Sequence, residues 1–141
     1  MIDATKTSSH NERGAAMVEF AIVLPLLLLL LFGIVEFGRA YNVKVQLTGA
    51  VREGARAASF GGDANAAVKG AAPGLNPPVA DSHITVLETC GSGIVGNARV
   101  RVSYPVTTLT PLGPLIARFD SPEYPSGAIT LTATGVMRCE L

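Results

Sequence analysis

The 141-residue sequence lacks the short motifs that mark the common catalytic and phosphate-binding sites. It has no GxSxG nucleophile turn, no phosphate-binding loop, no HExxH zinc helix and no CxxC pair. Its two histidines, His10 and His83, are far apart in the chain, and neither has a cysteine or carboxylate at a spacing typical of metal ligands. We therefore expect no enzyme activity, no catalytic residues, no metal site, no cofactor and no small-molecule substrate.

An excess of charge of one sign is also missing. The 11 basic residues balance the 11 acidic ones, whereas nucleic-acid-binding domains usually carry a basic excess. Nucleic acid is therefore not expected as a partner. The chain is long enough for one membrane anchor and one small domain of about 80 to 100 residues.

What the sequence does have is one long apolar run near its start. Phe20 to Val35 contains no charged or strongly polar side chain, and with the residues back to Ala15 it reaches about the 20 positions that cross a bilayer. We predict a transmembrane helix over residues 15–38. Residues 1–14 are polar and without apolar periodicity, and we expect them to form a disordered cytoplasmic leader that is cleaved.

The order of these parts differs from that of a secretory signal peptide. The processing-like point, Gly14 followed by Ala15, precedes the apolar core, so cleavage there would leave the helix on the mature protein. A signal peptidase site after Ala40 is the alternative, and it would release a secreted module. Glu19 and Pro25 within the core count against that alternative.

The residues around Gly14 carry a family resemblance. Gly14, the tetrapeptide AAMV, Glu19 and Phe20 resemble the class III signal of type IV pilins. Residues 33–58, GIVEFGRAYNVKVQLTGAVREGARAA, resemble the TadE-like minor pilins of the tight adherence (Tad/Flp) pilus system, and residues 129–140 are similar to that family's C-terminal strand. The resemblance implies cleavage after Gly14 and a positioning role for Glu19 and Phe20 in assembly.

The same resemblance implies partners and a place in the cell. The partners are a prepilin peptidase, a Flp-type major pilin, other TadE/TadF-like subunits and the inner-membrane assembly platform. The protein would be a single-pass protein of the cell membrane, with its C-terminal domain extracytoplasmic or on the pilus. A globular part of about 80 residues departs from the Flp major pilins, which favours a minor pilin or pseudopilin.

Glu19 and Pro25 both need an explanation inside an apolar helix. An ionised carboxylate there costs on the order of 2.5–3.5 kcal/mol, so it normally has a partner. The partner could be the α-amine that cleavage creates on Ala15, or the amine of a neighbouring subunit; alternatively, Glu19 extends to the membrane surface. Pro25 removes one backbone donor and predicts a kink or a melted turn, used in assembly or merely tolerated.

Beyond the membrane the helix is predicted to continue through residues 39–62. Apolar or small residues at spacings of three and four form one face, and Gly61 and Gly62 then end the helix. The face consists of Val43, Leu47, Ala50, Gly54 and Ala58. It could cover the domain's own sheet or pack against neighbouring subunits.

Residues 63–141 predict a small α+β domain. Asp63 is an expected N-cap for a helix over residues 64–72, and the period then changes to two. We predict strands over residues 82–89, 97–104 and 128–139, forming an antiparallel three-stranded sheet covered by the long helix in a pilin-like α+β fold. Residues 105–127 contain an apolar patch of Leu112, Leu115, Ile116 and Phe119 that could face a partner or fold onto the core.

Cys90 and Cys139, the only cysteines, both lie in this domain. Such a pair predicts a disulfide in an oxidising compartment, and two reduced core thiols are the alternative. A bridge would require the first and last strands to be parallel neighbours or to have converging ends. Basic residues after the apolar run weakly favour the opposite orientation, but the cysteines and the pilin resemblance outweigh them.

We therefore expect a minor pilin or pseudopilin that is processed by a prepilin peptidase and primes or joins a Tad/Flp-type pilus. The alternative is a secreted or single-pass membrane-anchored binding module of the cell envelope.

Overall fold

The computed structural model describes residues 9–90, 96–111, 118 and 128–139. These residues form two α-helices, a 3₁₀ turn and three strands: α1 (Ser9–Ser59), α2 (Ala64–Ala71), the turn Asp81–His83, β1 (Ile84–Glu88), β2 (Asn97–Thr107) and β3 (Ala128–Arg138). The predicted α+β class, with a long N-terminal helix and an antiparallel three-stranded sheet, is confirmed. Residues 91–95, between β1 and β2, and the patch at Leu112, Leu115, Ile116 and Phe119 lie outside the described residues.

The chain divides into two compact units, Met1–Val35 and Glu36–Leu141. In the first unit, α1 begins at Ser9, although we expected residues 1–14 to be disordered. The assigned helix also runs through Pro25 without a break, so the melted turn is not present.

The second unit is organised around the apolar face predicted for α1. Val43, Leu47 and Ala50 are buried there, as are Gly54 and Ala58. They belong to one core with the inward side chains of β2, which are Ala98, Val100, Val102, Tyr104 and Val106. In residues 43–58 the face therefore covers the protein's own sheet.

The sheet has the order β1-β2-β3, and both pairings are antiparallel. β2 is the central strand and continues to Thr107, three residues past the predicted end at Tyr104. Proline is excluded from strands that pair on both sides because it has no N–H to donate. Pro105 fits because β1 pairs with β2 only from Arg99 to Val102, so β2 has just β3 beside it at this position.

β1 is shorter than predicted because Ser82 and His83 belong to the 3₁₀ turn. The His83 ring stabilises this turn, since its Nδ1 accepts a hydrogen bond from the Ala80 N–H at 3.2 Å. The ring also packs edge-on against Tyr104 with centroids 5.5 Å apart. His83 is thus a structural residue of the turn.

α2 begins as predicted. Asp63 Oδ1 accepts hydrogen bonds from the Asn65 and Ala66 amides at 2.9 and 3.1 Å, which satisfies two of the donors that a helix N-terminus leaves free. A salt bridge of 2.6 Å between Lys69 and Asp81 then links α2 to the 3₁₀ turn.

A disulfide joins Cys90 to Cys139 with a Cα–Cα distance of 5.6 Å. The two strands that precede these cysteines, β1 and β3, are not neighbours, because β2 lies between them. Their ends converge beyond the start of β2, where the Cys139 amide donates to the Gly96 carbonyl at 3.0 Å. Of the two geometries that the bridge could require, converging ends is the one present.

Candidate functional site

The residues predicted for peptidase recognition and assembly all lie on α1 in the first unit. They are Gly14, Ala15, Glu19, Phe20 and Pro25, and every one of these positions is exposed. Ala15 and Glu19 are four residues apart on one helical face, the spacing needed for a contact between the Ala15 backbone nitrogen and the Glu19 carboxylate. In the part of the chain that the structure describes, Glu19 takes part in no salt bridge.

The first unit exposes an unusually large apolar surface. α1 contains a segment apolar enough to cross a membrane, and none of its most apolar 18-residue window is buried within the protein. Soluble monomers rarely expose a contiguous apolar surface of this extent. The segment is a candidate membrane span, and its surface needs lipid or another protein to cover it.

At the start of the second unit, Glu36 makes a contact that the sequence analysis missed. Its Oε1 accepts hydrogen bonds from the backbone amides of Leu109 and Thr110, each at 2.7 Å. The carboxylate therefore fixes the segment that follows β2 against α1. The position of Glu36 in the sequence could have indicated this contact, since an acid directly after a long apolar run normally has a partner.

Two basic residues of α1 also bond to the sheet. Arg39 donates to the Thr107 carbonyl at 2.6 Å, and Lys44 donates to the Thr132 carbonyl. Together with Glu36 they attach α1 to the end of β2 and to β3. Two of the four basic residues of α1 after the apolar run thus have a structural role, which weakens these two as indicators of membrane orientation.

Two glycines set how closely the elements pack on α1. A Cβ on Gly135 of β3 would collide with the carbonyl oxygen of Val51, and a Cβ on Gly54 would collide with Val68 of α2. Gly54 belonged to the predicted small-residue face, whereas Gly135 was not identified from the sequence. The close approach of the β3 backbone to the α1 backbone depends on Gly135 having no side chain.

The clefts of the second unit show no arrangement of described side chains that is typical of a catalytic or metal site. One of about 150 Å³ is lined in part by Arg39, Gln46 and Tyr104, and the Tyr104 hydroxyl donates to the Pro77 carbonyl at 2.5 Å. Burial raises the pKa of this tyrosine above its usual value. Among the residues with described positions, no group of three or more His, Cys, Asp or Glu side chains could hold a metal ion.

The pilin resemblance predicts a helix whose apolar surface starts just after Gly14, with an acid at Glu19 and a later part that packs on a small sheet. The structure has this arrangement. Residues 14–56 match the model of the TadE-like protein family. The predicted TadE-like resemblance is thereby confirmed over this segment. No curated protein and no solved structure matches the chain.

The TadE-like segment begins at Gly14 and ends at Arg56, in the last turn of α1. It includes the candidate span and the residues that attach α1 to the sheet, while the sheet and both cysteines lie outside it. TadE-like proteins are structural proteins associated with the tight adherence pilus, and the match links residues 14–56 of this chain to that kind of protein.

Proposed function

We propose that the protein is a TadE-like minor pilin or pseudopilin that a prepilin peptidase cuts after Gly14, and that it then primes or joins a Tad/Flp-type pilus. The observation that carries this proposal is where the family match begins. It starts at Gly14, the residue that we predict to be the last of the leader. None of the most apolar 18-residue window of the helix that follows is buried by the described residues, as a helix stored in a membrane and later transferred to a fibre requires.

The mechanism of such a subunit is physical assembly. The helix of residues 15–38 lies in the bilayer and moves laterally into a bundle, where its leucines exchange lipid contacts for protein contacts. Shape and polar pairing decide such an exchange, because lipid tails are as apolar as leucine. Glu19 supplies the pairing: its carboxylate bonds to the α-amine of Ala15, in its own chain or a neighbouring one. Phe20 and Pro25 act with it in positioning the helix.

The disulfide supports an extracytoplasmic place for the second unit. Disulfides persist in oxidising compartments and are rare in the cytoplasm. A bond between Cys90 and Cys139 therefore favours an N-terminus in the cytoplasm, as prepilin processing requires. The partners would be the prepilin peptidase, the Flp-type major pilin, TadE/TadF-like subunits and the inner-membrane assembly platform.

The experiment is to measure the intact mass and the N-terminal residue of the protein from the membrane fraction of its native host. We expect a chain that begins at Ala15. A Gly14→Val variant should keep its leader, because the residue before the cut is part of what the peptidase recognises. The matched control is Gly33→Val, a substitution at another helical glycine with open space around it, which should still be cut.

Each other result removes the proposal in a distinct way. A wild-type chain that begins at Tyr41 would identify a secreted module released by signal peptidase. One that begins at Met1 or Ile2 would identify an unprocessed membrane anchor, and cleavage of Gly14→Val at the same place would exclude Gly14 as a recognition residue.

A further inference from the structure

We call four of the exposed, large apolar side chains of the second unit the basal patch. Phe37 and Tyr41 of α1 are 80% and 72% exposed, Leu109 is 71% exposed and Ile129 at the start of β3 is 55% exposed. Single exposed apolar residues are ordinary on a protein surface, but a group of them needs an explanation.

The fold brings this group together from three parts of the chain. Phe37 and Tyr41 are four residues apart and share a face of α1. The Glu36 carboxylate accepts a hydrogen bond from the Leu109 amide at 2.7 Å, which places Leu109 beside the same turn of α1. Phe37 and Ile129 line one cleft of about 100 Å³, whose other apolar walls are Ala40, Val106 and Leu131. The fold therefore forms the patch from several segments of the chain, and the patch includes an open apolar cleft.

The position of the patch in the chain indicates what covers it. Glu36 directly follows Val35, the last residue of the apolar run. At 1.5 Å per residue, Phe37 and Tyr41 lie within about 9 Å of the end of that run along the helix. This is the depth of the interfacial layer of a bilayer, where aromatic side chains concentrate and amphipathic surfaces insert by about 5–10 Å.

We propose that the basal patch contacts lipid. Phe37 and Tyr41 form an aromatic belt at the bilayer surface, and Leu109 and Ile129 insert beside them at the boundary between headgroups and acyl chains. The occupant of the cleft is a lipid acyl chain of the bilayer that the protein's own helix crosses. The second unit is then a membrane-docked domain, which must leave the bilayer surface when the subunit enters a fibre. This proposal rests on the transmembrane helix of the proposed function.

The sequence contains no tryptophan, so one introduced tryptophan reports on one site. We would reconstitute the full chain, as Leu109→Trp, in phosphatidylcholine and phosphatidylglycerol vesicles with and without bromine atoms near the headgroup end of the acyl chains. The matched control is Phe60→Trp, because Phe60 is similarly exposed, at 66%, and directly follows the far end of α1. A second control, Leu28→Trp, lies in the middle of the apolar run and is measured in vesicles brominated near the terminal ends of the acyl chains, at the depth expected for the centre of a span.

For Leu109→Trp we expect blue-shifted emission and a loss on the order of twofold in the brominated vesicles, because the patch is expected to insert into the brominated layer. Emission from Phe60→Trp should be red-shifted and unchanged by bromine. Emission from Leu109→Trp that matches Phe60→Trp would overturn the proposal. Blue-shifted but unquenched emission would also overturn it, by showing that protein rather than lipid covers the patch.

The Leu28→Trp control separates this proposal from the one it rests on. Quenched Leu28→Trp with unquenched Leu109→Trp would leave the membrane helix in place and remove only the lipid contact. Unquenched Leu28→Trp would mean that the apolar run is outside the bilayer, and both proposals would fail.

Discussion

At the scale of single residues, Gly135 sets the distance between β3 and α1. Its missing side chain leaves room for the Val51 carbonyl, which is backbone and cannot rotate away as a side chain could. We predict that Gly135→Ala destabilises the second unit by about 3 kcal/mol, the upper part of the usual range for overpacking. Urea unfolding followed by circular dichroism in detergent micelles measures this change.

The matched control for that substitution is Gly49→Ala. Gly49 lies on an exposed part of α1, and a Cβ added there would meet no atom within 4 Å, so alanine makes no new contact. Alanine in an exposed helix should raise the free energy of unfolding by roughly 0.5–1 kcal/mol. A loss of stability of equal size in both variants would show that close packing at Gly135 is not the cause.

The ion pair between Lys69 and Asp81 predicts a pH dependence. The hydrogen bond from Lys69 holds the pKa of Asp81 below its usual value of 3.8. Because the folded-state pKa is the lower one, the contribution is present above about 3.8 and is lost as the pH falls through the folded-state pKa. Asp81→Asn should therefore be slightly less stable than wild type at neutral pH and equally stable in strong acid.

The check on this prediction is the urea midpoint of both proteins at several pH values. Both side chains are well exposed, so the difference should be small and should shrink further at high salt. Lys69→Gln should remove the same pH-dependent component. A difference that persists in strong acid would assign the effect to the shape of the asparagine side chain rather than to charge.

At the scale of elements, α1 has two kinds of surface along one helix. From Ala15 to Val35 it is apolar on nearly all sides, which is typical of a membrane span, whereas from Val43 to Ala58 only one face is buried. Glu36, Arg39 and Lys44 lie near the change between the two patterns and bond to the sheet. The helix thus changes from an all-round apolar surface to an amphipathic one where its polar contacts to the domain begin.

We predict that Glu36→Ala frees the segment after β2. Hydrogen bonds to a charged acceptor contribute about 1.5–3 kcal/mol, so hydrogen exchange at the Leu109 and Thr110 amides should accelerate on the order of tenfold or more. Exchange measured by mass spectrometry or NMR on the full chain tests this. The Val102 amide in the buried centre of β2 serves as the internal reference and should be unchanged.

A conservative variant separates the role of the oxygen acceptor from that of the charge. Glu36→Gln keeps one side-chain oxygen and should accelerate exchange less than Glu36→Ala does. Unchanged exchange at both amides in Glu36→Ala would contradict the assigned hydrogen bonds.

At the scale of the whole molecule, the disulfide links the segments that follow β1 and β3, at the end of the sheet where β2 starts. It links residues 49 positions apart, and the chain-entropy model assigns such a loop about 4 kcal/mol. The Cys90→Ser, Cys139→Ser double variant should therefore unfold at a clearly lower urea concentration than the oxidised protein. Reduced wild-type protein should behave like the double variant, and equal midpoints for all three would mean that the bond contributes no stability.

The family match also divides the molecule. It covers the segment from Gly14 to Arg56 on α1 and none of the sheet. Under the proposed function, the matched segment carries processing and assembly, and it also contains Phe37 and Tyr41 of the basal patch.

The sequence alone determined the features that depend on neighbouring residues. The membrane-length apolar run, the buried face from Val43 to Ala58, the N-cap at Asp63 and the alternation in β2 all follow from periods and caps within one element. Such patterns report on which side of a single element is buried. These features could therefore be predicted without knowing which strands pair or which elements pack together.

Only the tertiary structure decided contacts between distant residues. The bonds from Glu36 to Leu109 and Thr110 span 73 and 74 positions, and neither end carries a pattern that identifies the other. Pro105 in β2, the converging ends that join Cys90 to Cys139, and the basal patch likewise depend on how far each strand pairs. Strand register and helix packing set these distances, and they result from the packing of the whole core rather than from any one segment.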